Sequence, residues 1–545
     1  RFSSREMLML AVSPRLLICL MLLLLLPRAT LAFRILVISP KFAHSHSAFI
    51  GTIADILVDA GHNVTTLIPI IDDRLSDGTT KSKIIDVPAA AAAAEKVRQL
   101  MGVDLDYFEL EPDNVPAFLQ NGRDNTAFFS AECHATLTHP RLLERLAAEH
   151  FDAVITEGFD YCGIGISALI SARSLITVSP TILFTRHAVD IGMPLTPASN
   201  PAVLIGTTNV ESIWWRFRNV FFHGLIYHFF SLPVSAEQAV FDELYGAAAP
   251  NLAKVASSAA VTLVNSDPLF DFGAPTLSRV VSIAGITATN PKPLGQEWEH
   301  VLAQREKSVL VSFGSIARAV LMSVNKKRAF LKAFATFRNV TFIWKYEEPT
   351  DDFGRLEASA VPNVLLTKWM PQNDLLHDER VAAFITHGGM GSILETARHG
   401  VPALVVPIFG DQPRNGAALK RLGAADLFSK HELTNVAKLR DAIARLLQPS
   451  YRERARHVSR MLASRAMHTP RDTLLHHVAF AAEFGPLDAL KPLSLKLSFI
   501  QEYMIDVILL TLVALIASLF VIGFFLKLAA KELLRVVHTE KLKIS

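Results

Sequence analysis

A histidine followed by two glycines, His387, Gly388 and Gly389, stands between a predicted strand at residues 382–386 and a predicted helix at residues 390–399. The first amide groups of a helix lack partners inside the helix, and the helix dipole places about half a positive charge there. Glycines let the backbone approach an anion closely, and an imidazole can donate a hydrogen bond to a phosphoryl oxygen. The stretch therefore predicts a binding site for a phosphorylated ligand.

Short motifs surround this turn in a fixed order. They are W-x-P-Q at 369–372, F-I-T-H-G-G at 384–389, S-x-x-E at 392–395, G-x-P at 400–402 and D-Q-x-x-N at 411–415. A lone H-G-G would mean little, but in this order the motifs resemble the signature of UDP-glycosyltransferases of the UDP-glucuronosyltransferase type, in an invertebrate-like form. Matching elements run from about Phe33 to the C-terminus.

The resemblance implies a donor site in the second half of the chain. Trp369 is expected to stack on uracil and Gln372 to hydrogen-bond the base or the ribose. The expected donor-binding residues are Gly314, Ser315, Trp369, Gln372, His387, Gly388, Gly389, Gly391, Ser392, Glu395, Asp411 and Gln412. Of these, Glu395 would accept from ribose hydroxyls, and Asp411 and Gln412 would bind the sugar. Gly391 stands where vertebrate relatives often have Asn, which leaves the choice of sugar open.

The resemblance also implies a general base in the first half. His46 lies in a predicted loop at residues 40–47, and without the resemblance a loop histidine is more often solvated or structural. It aligns with the catalytic histidine of the family. Glu157 follows a later strand, where the family usually has Asp, and is expected to orient His46 despite its extra methylene. Asp160 is the alternative partner.

The implied reaction moves a hexosyl group, glucuronosyl or glucosyl, from a UDP-sugar to a hydroxyl of a small lipophilic acceptor. His46 would take the acceptor proton while the oxygen attacks C1, which inverts the anomeric centre. The helix N-terminus and His387 would stabilise the leaving UDP, so neither a metal nor a cofactor beyond the UDP-sugar co-substrate is expected. The adjacent aspartates at 72–73 and 351–352 are predicted to be solvated.

Two other functions compete with this one. The first is a non-catalytic protein that binds UDP-sugars and lipophiles on the same scaffold, favoured only by Glu157 and Gly391. The second is a dinucleotide-dependent oxidoreductase, and it is disfavoured because no G-x-G-x-x-G follows the first strand. A net charge of +3 and the lack of a basic stripe with interleaved aromatic residues argue against a nucleic-acid partner.

The elements that must position these residues begin with a β-α-β pattern, predicted as a strand at 34–39, a helix at 48–60 and a strand at 63–68. This order is typical of a doubly wound parallel sheet. With the resemblance, the expected fold is two doubly wound Rossmann-like domains facing a cleft, the GT-B fold, plus a C-terminal transmembrane helix. The segment at 214–230 is interpreted as a helix beneath the acceptor pocket or, alternatively, as a membrane-surface helix.

The two ends of the chain predict a membrane protein. The predicted order is a signal peptide at 1–32, an acceptor-binding domain at 33–286, a linker at 287–300, a UDP-sugar-binding domain at 301–485, a transmembrane helix at 504–526 and a basic cytosolic tail at 527–545. This is a single-pass type I protein with a lumenal catalytic body. Lys541 and Lys543 have the spacing of a dilysine-type retrieval signal and indicate the endoplasmic reticulum.

The sequence also bears on glycosylation, disulfide formation and assembly. Asn63 and Asn339 begin N-x-T sequons and are predicted glycosylation sites, although both stand where strands begin and poor accessibility is the alternative. Cys133 and Cys162 allow one disulfide in an oxidising compartment without requiring it. Assembly into a homo-oligomer is left open.

Overall fold

The computed structural model describes residues 32–88, 106–109, 115–288, 290–465 and 468–544. The predicted signal peptide, apart from residue 32, therefore lies outside the described residues. The described chain forms one compact unit up to Leu490 and a second unit from Lys491 onward, and each is described by itself.

Seven parallel strands form the first sheet. They are β1 (Arg34–Ile38), β2 (Asn63–Pro69), β3 (Lys83–Val87), β4 (Ala153–Glu157), β5 (Leu175–Ser179), β6 (Val261–Val264) and β7 (Val280–Ser282), in the spatial order β3-β2-β1-β4-β5-β6-β7. In the central strand β1, Ile35 lies opposite Val64 of β2 and Ala153 of β4. Helices cover both faces of such a sheet, which is why the central strands are almost continuously apolar.

The helices of the first half are α1 (His44–Asp59), α2 (Val115–Leu137), α3 (Leu142–Ala148), α4 (Cys162–Leu169), α5 (Thr185–Asp190), α6 (Ile213–Tyr245) and α7 (Leu252–Ser257). Helix α1 begins at His44, so the prediction of a loop through residue 47 is wrong for its last four residues. The first turn of α1 is polar, and the buried apolar residues that mark the helix in the sequence begin only at Phe49.

Six parallel strands form the second sheet. They are β8 (Lys307–Ser312), β9 (Val340–Lys345), β10 (Val364–Thr367), β11 (Val381–Thr386), β12 (Ala403–Val405) and β13 (Ala425–Leu427), in the spatial order β10-β9-β8-β11-β12-β13. The helices of this half are α8 (Gln296–Ala303), α9 (Val324–Phe334), α10 (Gln372–His377), α11 (Met390–His399), α12 (Gln412–Arg421), α13 (Val436–Leu446) and α14 (Pro449–Arg465). A further helix, α15 (Pro470–Phe484), returns to the first sheet, where Leu474 and Val478 join its core.

The strand order reverses between β1 and β4 in the first sheet and between β8 and β11 in the second. In doubly wound sheets, ligands bind outside the carboxyl ends of the strands at this reversal. His46 follows β1 and Glu157 ends β4, while Gly314 follows β8 and His387 follows β11. Both predicted groups of chemical residues therefore lie at the reversal point of their own sheet, and the predicted pair of doubly wound sheets is confirmed.

A hydrophobic cluster joins the two halves. It contains Ile205 and Phe270 from the first half and Met390, Ile393 and Val405 from the second, all buried. The phosphate-site helix α11 thus packs partly against residues of the opposite half, and the two sheets form one continuous body.

The second unit contains α16 (Phe499–Glu502) and α17 (Ile505–Ile544). Among the described residues, one helical stretch, Ile505–His538, is long and apolar enough to cross a membrane. Its side chains are exposed from Asp506 to His538. This stretch contains most of the transmembrane helix predicted at residues 504–526.

Candidate active site

His46 and Glu157 form a hydrogen-bonded pair. Nδ1 of His46, in the first turn of α1, lies 2.7 Å from Oε1 of Glu157, at the end of β4. The Glu157 side chain is 1% exposed and the His46 side chain 14% exposed, so the carboxylate holds the imidazole from inside the protein. Asp160, the alternative partner, instead accepts a hydrogen bond from the Cys162 backbone amide at 2.8 Å.

A group of buried carboxyl groups lies behind this pair, and sequence reasoning missed it. Burial raises the pKa of Glu132 to about 8, and it also raises the pKa values of Asp160 and Glu237. Glu237 accepts from the Tyr161 amide at 2.9 Å. Burial disfavours the charged form of each of these groups. No local motif marks Glu132 or Glu237, because each lies inside a helix.

The structure pairs Cys133 with Cys162, which settles the disulfide that the sequence left open. The bond joins α2 to the first residue of α4, directly after the loop that follows Glu157. The loop that carries Asp160 is therefore fixed covalently to the helix that carries Glu132.

Phenylalanine rings surround His46. The Phe42 ring centre lies 4.6 Å from that of His46, and the Phe159 ring centre lies 6.1 Å away. Phe159 in turn contacts Phe129, Phe184 and Phe230, each with ring centres 5.4 Å apart. This group of five phenylalanines, called the phenylalanine wall below, presents an apolar surface beside the imidazole.

The segment at 214–230 lies in the first half of α6, and its two ends have different surroundings. Phe230, near the middle of α6, belongs to the phenylalanine wall. At the start of the same helix, Trp214 and Phe217 are 76% and 69% exposed. One helix thus connects the surroundings of His46 to an exposed apolar surface about thirteen residues, or roughly 20 Å, away.

In the second half, the glycines make room for the His387 ring. Gly314 has φ +87°, and a Cβ there would lie 2.7 Å from Nε2 of His387. A Cβ on Gly389 would lie 2.6 Å from the same atom. The two turns after β8 and β11 therefore close around one imidazole, which explains why F-G-S and H-G-G occur together. Ser315 is exposed on the first of these turns.

Burial, together with the nearby Lys345, lowers the pKa of His387 to about 4. Lys345 itself was missed by sequence reasoning. Its Nζ donates to the Gly314 carbonyl at 2.6 Å and lies 5.8 Å from the centre of the Trp369 ring. Its position at the carboxyl end of β9, beside the strand that leads into Gly314, is the signal that could have identified it. The predicted phosphate turn therefore holds a neutral imidazole and one cationic side chain.

Three expected donor-binding side chains are hydrogen-bonded to one another. Nε2 of Gln372 donates to Glu395 at 2.7 Å and to Ser392 at 3.2 Å. Burial raises the pKa of Glu395. Trp369 stands at the edge of this group with 64% of its surface exposed, so its ring is free to receive a flat heterocycle. Gly391 is exposed on the first turn of α11.

Asp411 and Gln412 have different surroundings. Asp411 accepts from Nδ2 of Asn415 at 2.7 Å, and Asn415 also donates to the Gly388 carbonyl at 3.1 Å. Gln412 is the first residue of α12, and its side-chain oxygen accepts from the backbone amides of residues 408 and 409. Its oxygen therefore shapes the loop before α12, while Asp411 is tied to the His387 turn.

The two faces meet across a cleft. The ring centres of His44 and Trp369 are 6.4 Å apart, and they belong to opposite halves. Burial raises the pKa of Asp411, an effect opposed by Asn415 and by the neighbouring His46. His46 and the residues around His387 thus line a single space.

Some residues predicted from sequence lie elsewhere. Asp72 is buried and paired with Arg74 at 2.7 Å, so the prediction that it is solvated is wrong, and Asp351 is half-buried and accepts from the Tyr346 hydroxyl at 2.6 Å. Local partners, invisible in sequence, draw Asp72 and Asp351 inward. Their neighbours Asp73 and Asp352 are exposed, as predicted. Among the residues that the structure describes, no group of three or more His, Cys, Asp or Glu side chains is arranged to hold a metal ion.

The two predicted glycosylation sites, Asn63 and Asn339, are both exposed. Poor accessibility, the alternative raised for these sequons, is therefore not observed.

Comparison with known proteins identifies the family. The sequence profile described as "UDP-glucoronosyl and UDP-glucosyl transferase" matches residues 34–541. UDP-glucuronosyltransferase 3A1 of Bos taurus is 27% identical, over 74% of this chain and 75% of its own length. UDP-glycosyltransferase UGT5 of Dactylopius coccus is 25% identical, over 92% of this chain and 93% of its own.

Solved structures agree in fold. A UDP-glucosyltransferase from Polygonum tinctorium, in complex with 3,4-dichloroaniline, superposes with a TM-score of 0.57 at 16% identity, covering 83% of this chain and 99% of that one. A structural match at such low sequence identity shows only that the fold is shared, and that fold is GT-B. Since the profile spans nearly the whole chain, the protein belongs to the UDP-glucuronosyl and UDP-glucosyl transferase family and is a glycosyltransferase.

Proposed function

We propose that the protein transfers a glucuronosyl or glucosyl group from a UDP-sugar to the hydroxyl of a small lipophilic acceptor, with inversion at the anomeric carbon. The observation that carries this proposal is the His46–Glu157 pair, which faces the His387 turn across the cleft. A base on one side and a phosphate site on the other place an acceptor hydroxyl and a sugar C1 between them.

His46 acts as the general base. The Glu157 carboxylate accepts from Nδ1–H, which leaves the lone pair of Nε2 for the acceptor proton. As the acceptor oxygen attacks C1, the C1–O bond to UDP breaks, and the proton passes to His46. Glu157 then stabilises the imidazolium. A single displacement of this kind gives a product of opposite anomeric configuration.

UDP is held by the second half. Trp369 stacks on uracil, while Gln372 and Glu395 bind the base or the ribose. The amides that open α11 and the turns at Gly314–Ser315 and 387–389 hold the diphosphate. Lys345, which donates to the Gly314 carbonyl, adds positive charge that favours the leaving group. Asp411 binds sugar hydroxyls from the cleft side.

The phenylalanine wall supports a lipophilic acceptor. Aromatic side chains bury apolar ligands and orient flat ones edge-to-face or in offset stacks. An acceptor whose hydroxyl sits beside His46 therefore keeps its apolar part against Phe42 and Phe159. Phenols and steroid-like alcohols fit this description.

The direct test offers the full-length membrane protein a mixed pool of UDP-sugars with a model phenol. Mass spectrometry of the products reveals which sugar is transferred, and NMR of the purified product gives the anomeric configuration. The proposal expects a β-linked product from an α-linked donor. Retained configuration would contradict the single displacement. If a sample that binds UDP neither hydrolysed nor transferred sugar with any combination of UDP-sugar and phenol, a binding protein on the same scaffold would be favoured.

The leaving group is proposed to depart without a bound metal ion, because the helix N-terminus, the glycine turns and Lys345 already supply donors and charge. Transfer is therefore expected to continue in excess EDTA. Loss of activity in EDTA, with recovery on addition of Mg²⁺ or Mn²⁺, would contradict this part of the proposal.

We also propose that the protein is anchored in the membrane of the endoplasmic reticulum with its catalytic body in the lumen. The apolar stretch at Ile505–His538 supports the anchor, and a disulfide between Cys133 and Cys162 fits an oxidising compartment. Glycosylation at Asn63 and Asn339 would follow. Digestion with an endoglycosidase should lower the apparent mass of the wild-type protein, and it should leave unchanged a double variant in which both asparagines are replaced by glutamine.

The start of α6 supports a further contact with the bilayer. Ile213, Trp214 and Phe217 are exposed on one face, with Arg216 beside them, which is typical of an interfacial helix. A fluorescent label on Phe217→Cys should be quenched by brominated lipids in nanodiscs, whereas a label on Glu297→Cys should not. Equal quenching at both positions would contradict the contact.

A further inference from the structure

Arg414 connects the two halves of the molecule. It lies on α12, in the second half, and its side chain is 4% exposed. Its side-chain hydrogen bonds to other described residues go to the first half: Nε donates to the Pro201 carbonyl at 3.1 Å, and Nη2 donates to Oδ1 of Asn200 at 2.8 Å and to Oδ1 of Asp271 at 2.6 Å. The guanidinium also lies 5.0 Å from the centre of the Phe272 ring.

The residues that receive these bonds are themselves held in place. Asn219 of α6 donates to the Asn200 carbonyl at 2.8 Å and to the Pro197 carbonyl at 2.6 Å. Nε2 of His223 lies 3.0 Å from the same Asn200 carbonyl. The loop that accepts from Arg414 is therefore fixed to the long helix α6, which also carries Phe230 of the phenylalanine wall.

The other end of the connection reaches the donor site. Arg414 lies between Asp411, which faces the cleft, and Asn415, which binds both Asp411 and the Gly388 carbonyl. One side of α12 is thus bonded to the His387 turn and the other to the first half. A shift of α12 relative to the first half would move Asp411 and the His387 turn away from His46.

We propose that Arg414 is a positioning residue for transfer. It fixes the donor site at the distance from His46 that the displacement requires. This inference rests on the proposed function. Arginine suits the role because its planar fork reaches several acceptors at once, whereas lysine offers a point charge on a flexible stem. A catalytic geometry displaced by about 1 Å can lower the rate by roughly 100-fold.

The test compares three single variants of the full-length chain. Arg414→Met removes all the bonds, and Arg414→Lys keeps the charge without the fork. A cavity of about 140 Å³ adjoins Arg414, so neither side chain overpacks the site. Arg421→Met is the matched control, because Arg421 lies on the same helix, 5.5 Å from the same Phe272 ring, but is exposed.

For Arg414→Met, kcat should fall roughly 30- to 100-fold while the Kd of UDP changes by less than about threefold. Arg414→Lys should recover no more than about a third of the lost activity, and Arg421→Met should match wild type. A kcat within about twofold of wild type for Arg414→Met would overturn the proposal. An equal loss of UDP affinity would also overturn it, because the donor site itself would then be damaged.

A covalent rescue separates positioning from a merely structural role. A Cβ on Gly206, in the first half, would lie 3.4 Å from Cβ of Pro413, close to the separation found in disulfides. With Gly206→Cys and Pro413→Cys added to Arg414→Met, the oxidised form should regain at least half of the wild-type kcat. A cross-linked form that stays as slow as Arg414→Met would overturn the proposal.

Hydrogen exchange gives a readout that does not depend on transfer. The amides of residues 200–206 should exchange faster in Arg414→Met than in wild type, and they should slow again in the cross-linked form. If wild type transfers no sugar, the proposed function fails, while this measurement still decides whether Arg414 holds the halves together. Unchanged exchange in Arg414→Met would overturn the connection itself.

Discussion

The two faces of the cleft are built in different ways. On the donor face, Trp369, Gln372, His387, Glu395 and Asp411 come from one stretch of fewer than fifty residues, with Gly314 and Lys345 added from neighbouring strands. On the acceptor face, the phenylalanine wall gathers rings from five separate segments between residues 42 and 230. The proposed site for the constant nucleotide is local in sequence, and the proposed site for the variable acceptor is assembled from distant parts.

The comparison separates the effects of substitutions. Changes on the donor face should alter UDP-sugar binding, changes in the wall should alter acceptor binding, and changes in the His46–Glu157 pair should alter the chemical step alone. Single substitutions in each of these three groups test this division.

His46→Ala should lower kcat about 1,000- to 10,000-fold, because it removes the group proposed to take the acceptor proton. The Kd of UDP, measured by calorimetry, should stay within about threefold of wild type, since UDP binds the opposite face. If kcat fell by less than tenfold, His46 would not be the base. A loss of UDP binding as well would mean that the two faces are not separable.

Glu157→Gln should lower kcat roughly 100- to 1,000-fold. The amide of glutamine can donate to Nδ1 of His46, which would place the imidazole proton on Nε2 and remove the lone pair that accepts from the substrate. Steady-state kinetics at saturating donor and acceptor measure the effect. Glu157→Asp, which restores the residue usual in the family, should retain more activity than Glu157→Gln, and the reverse order would contradict an orienting carboxylate.

Gly314→Ala should raise the KM for the UDP-sugar about tenfold, with the acceptor KM unchanged. A methyl group at this left-handed position would be strained and would press on the His387 ring. Gly61→Ala is the matched control, because Gly61 has φ +90° with open space around its Cβ. The control should lose stability without losing donor affinity, and equal donor KM values for the two variants would contradict the role of the turn.

Phe159→Ala should raise the KM of a phenolic acceptor roughly five- to tenfold and leave the donor KM unchanged, because one aromatic partner of the apolar part is lost. Phe484→Ala, an exposed ring on α15, should change neither value. If Phe159→Ala raised the donor KM instead, the division of the cleft into two faces would be wrong.

Glu132→Gln should raise Tm by about 2 °C at pH 8 and by less at pH 5. Burial raises the pKa of Glu132 to about 8, above its ordinary value of 4.5, so the folded state keeps a proton that the unfolded chain has lost. Stability from this group is full below pH 4.5 and is lost as the pH rises through about 8. The glutamine side chain does not ionise, so the variant avoids this loss of stability at high pH. Thermal unfolding scans at both pH values measure the difference in Tm.

The exposed Glu243→Gln serves as the control for Glu132→Gln and should show the same small change in Tm at both pH values. A larger gain for Glu132→Gln at pH 5 than at pH 8 would contradict a neutral, buried carboxyl group on the acceptor half.

Sequence alone predicted much of the fold because the patterns that mark its strands and helices lie within short segments of the chain. The helix predicted at 390–399 is the observed α11, and its predicted end at Gly400 coincides with φ +63° there. The start of α1 was misplaced because its first turn, including His46, is polar and lacks the periodicity that marks a buried face. Local patterns therefore place elements well where burial is regular, and poorly where a functional turn interrupts it.

The candidate site divides in the same way. The donor residues form ordered motifs, so their proximity could be predicted. Arg414 could not be recognised, since its partners lie 143 to 214 residues away in the chain. Glu237 was missed because it lies inside a helix with no local motif. Lys345 was missed because its bond to the Gly314 carbonyl depends on β9 lying beside β8 in the sheet, although its place at the end of a strand could have drawn attention to it. Long-range contacts of single polar residues are the part that sequence patterns do not encode.

The most direct test of the central claim is an experimental structure of the full-length protein with UDP and a phenolic acceptor bound. The account predicts the diphosphate against the turns at Gly314–Ser315 and 387–389, with the phenol oxygen about 2.6–3.2 Å from Nε2 of His46. A diphosphate bound elsewhere, or a phenol oxygen in contact with some other base, would contradict it.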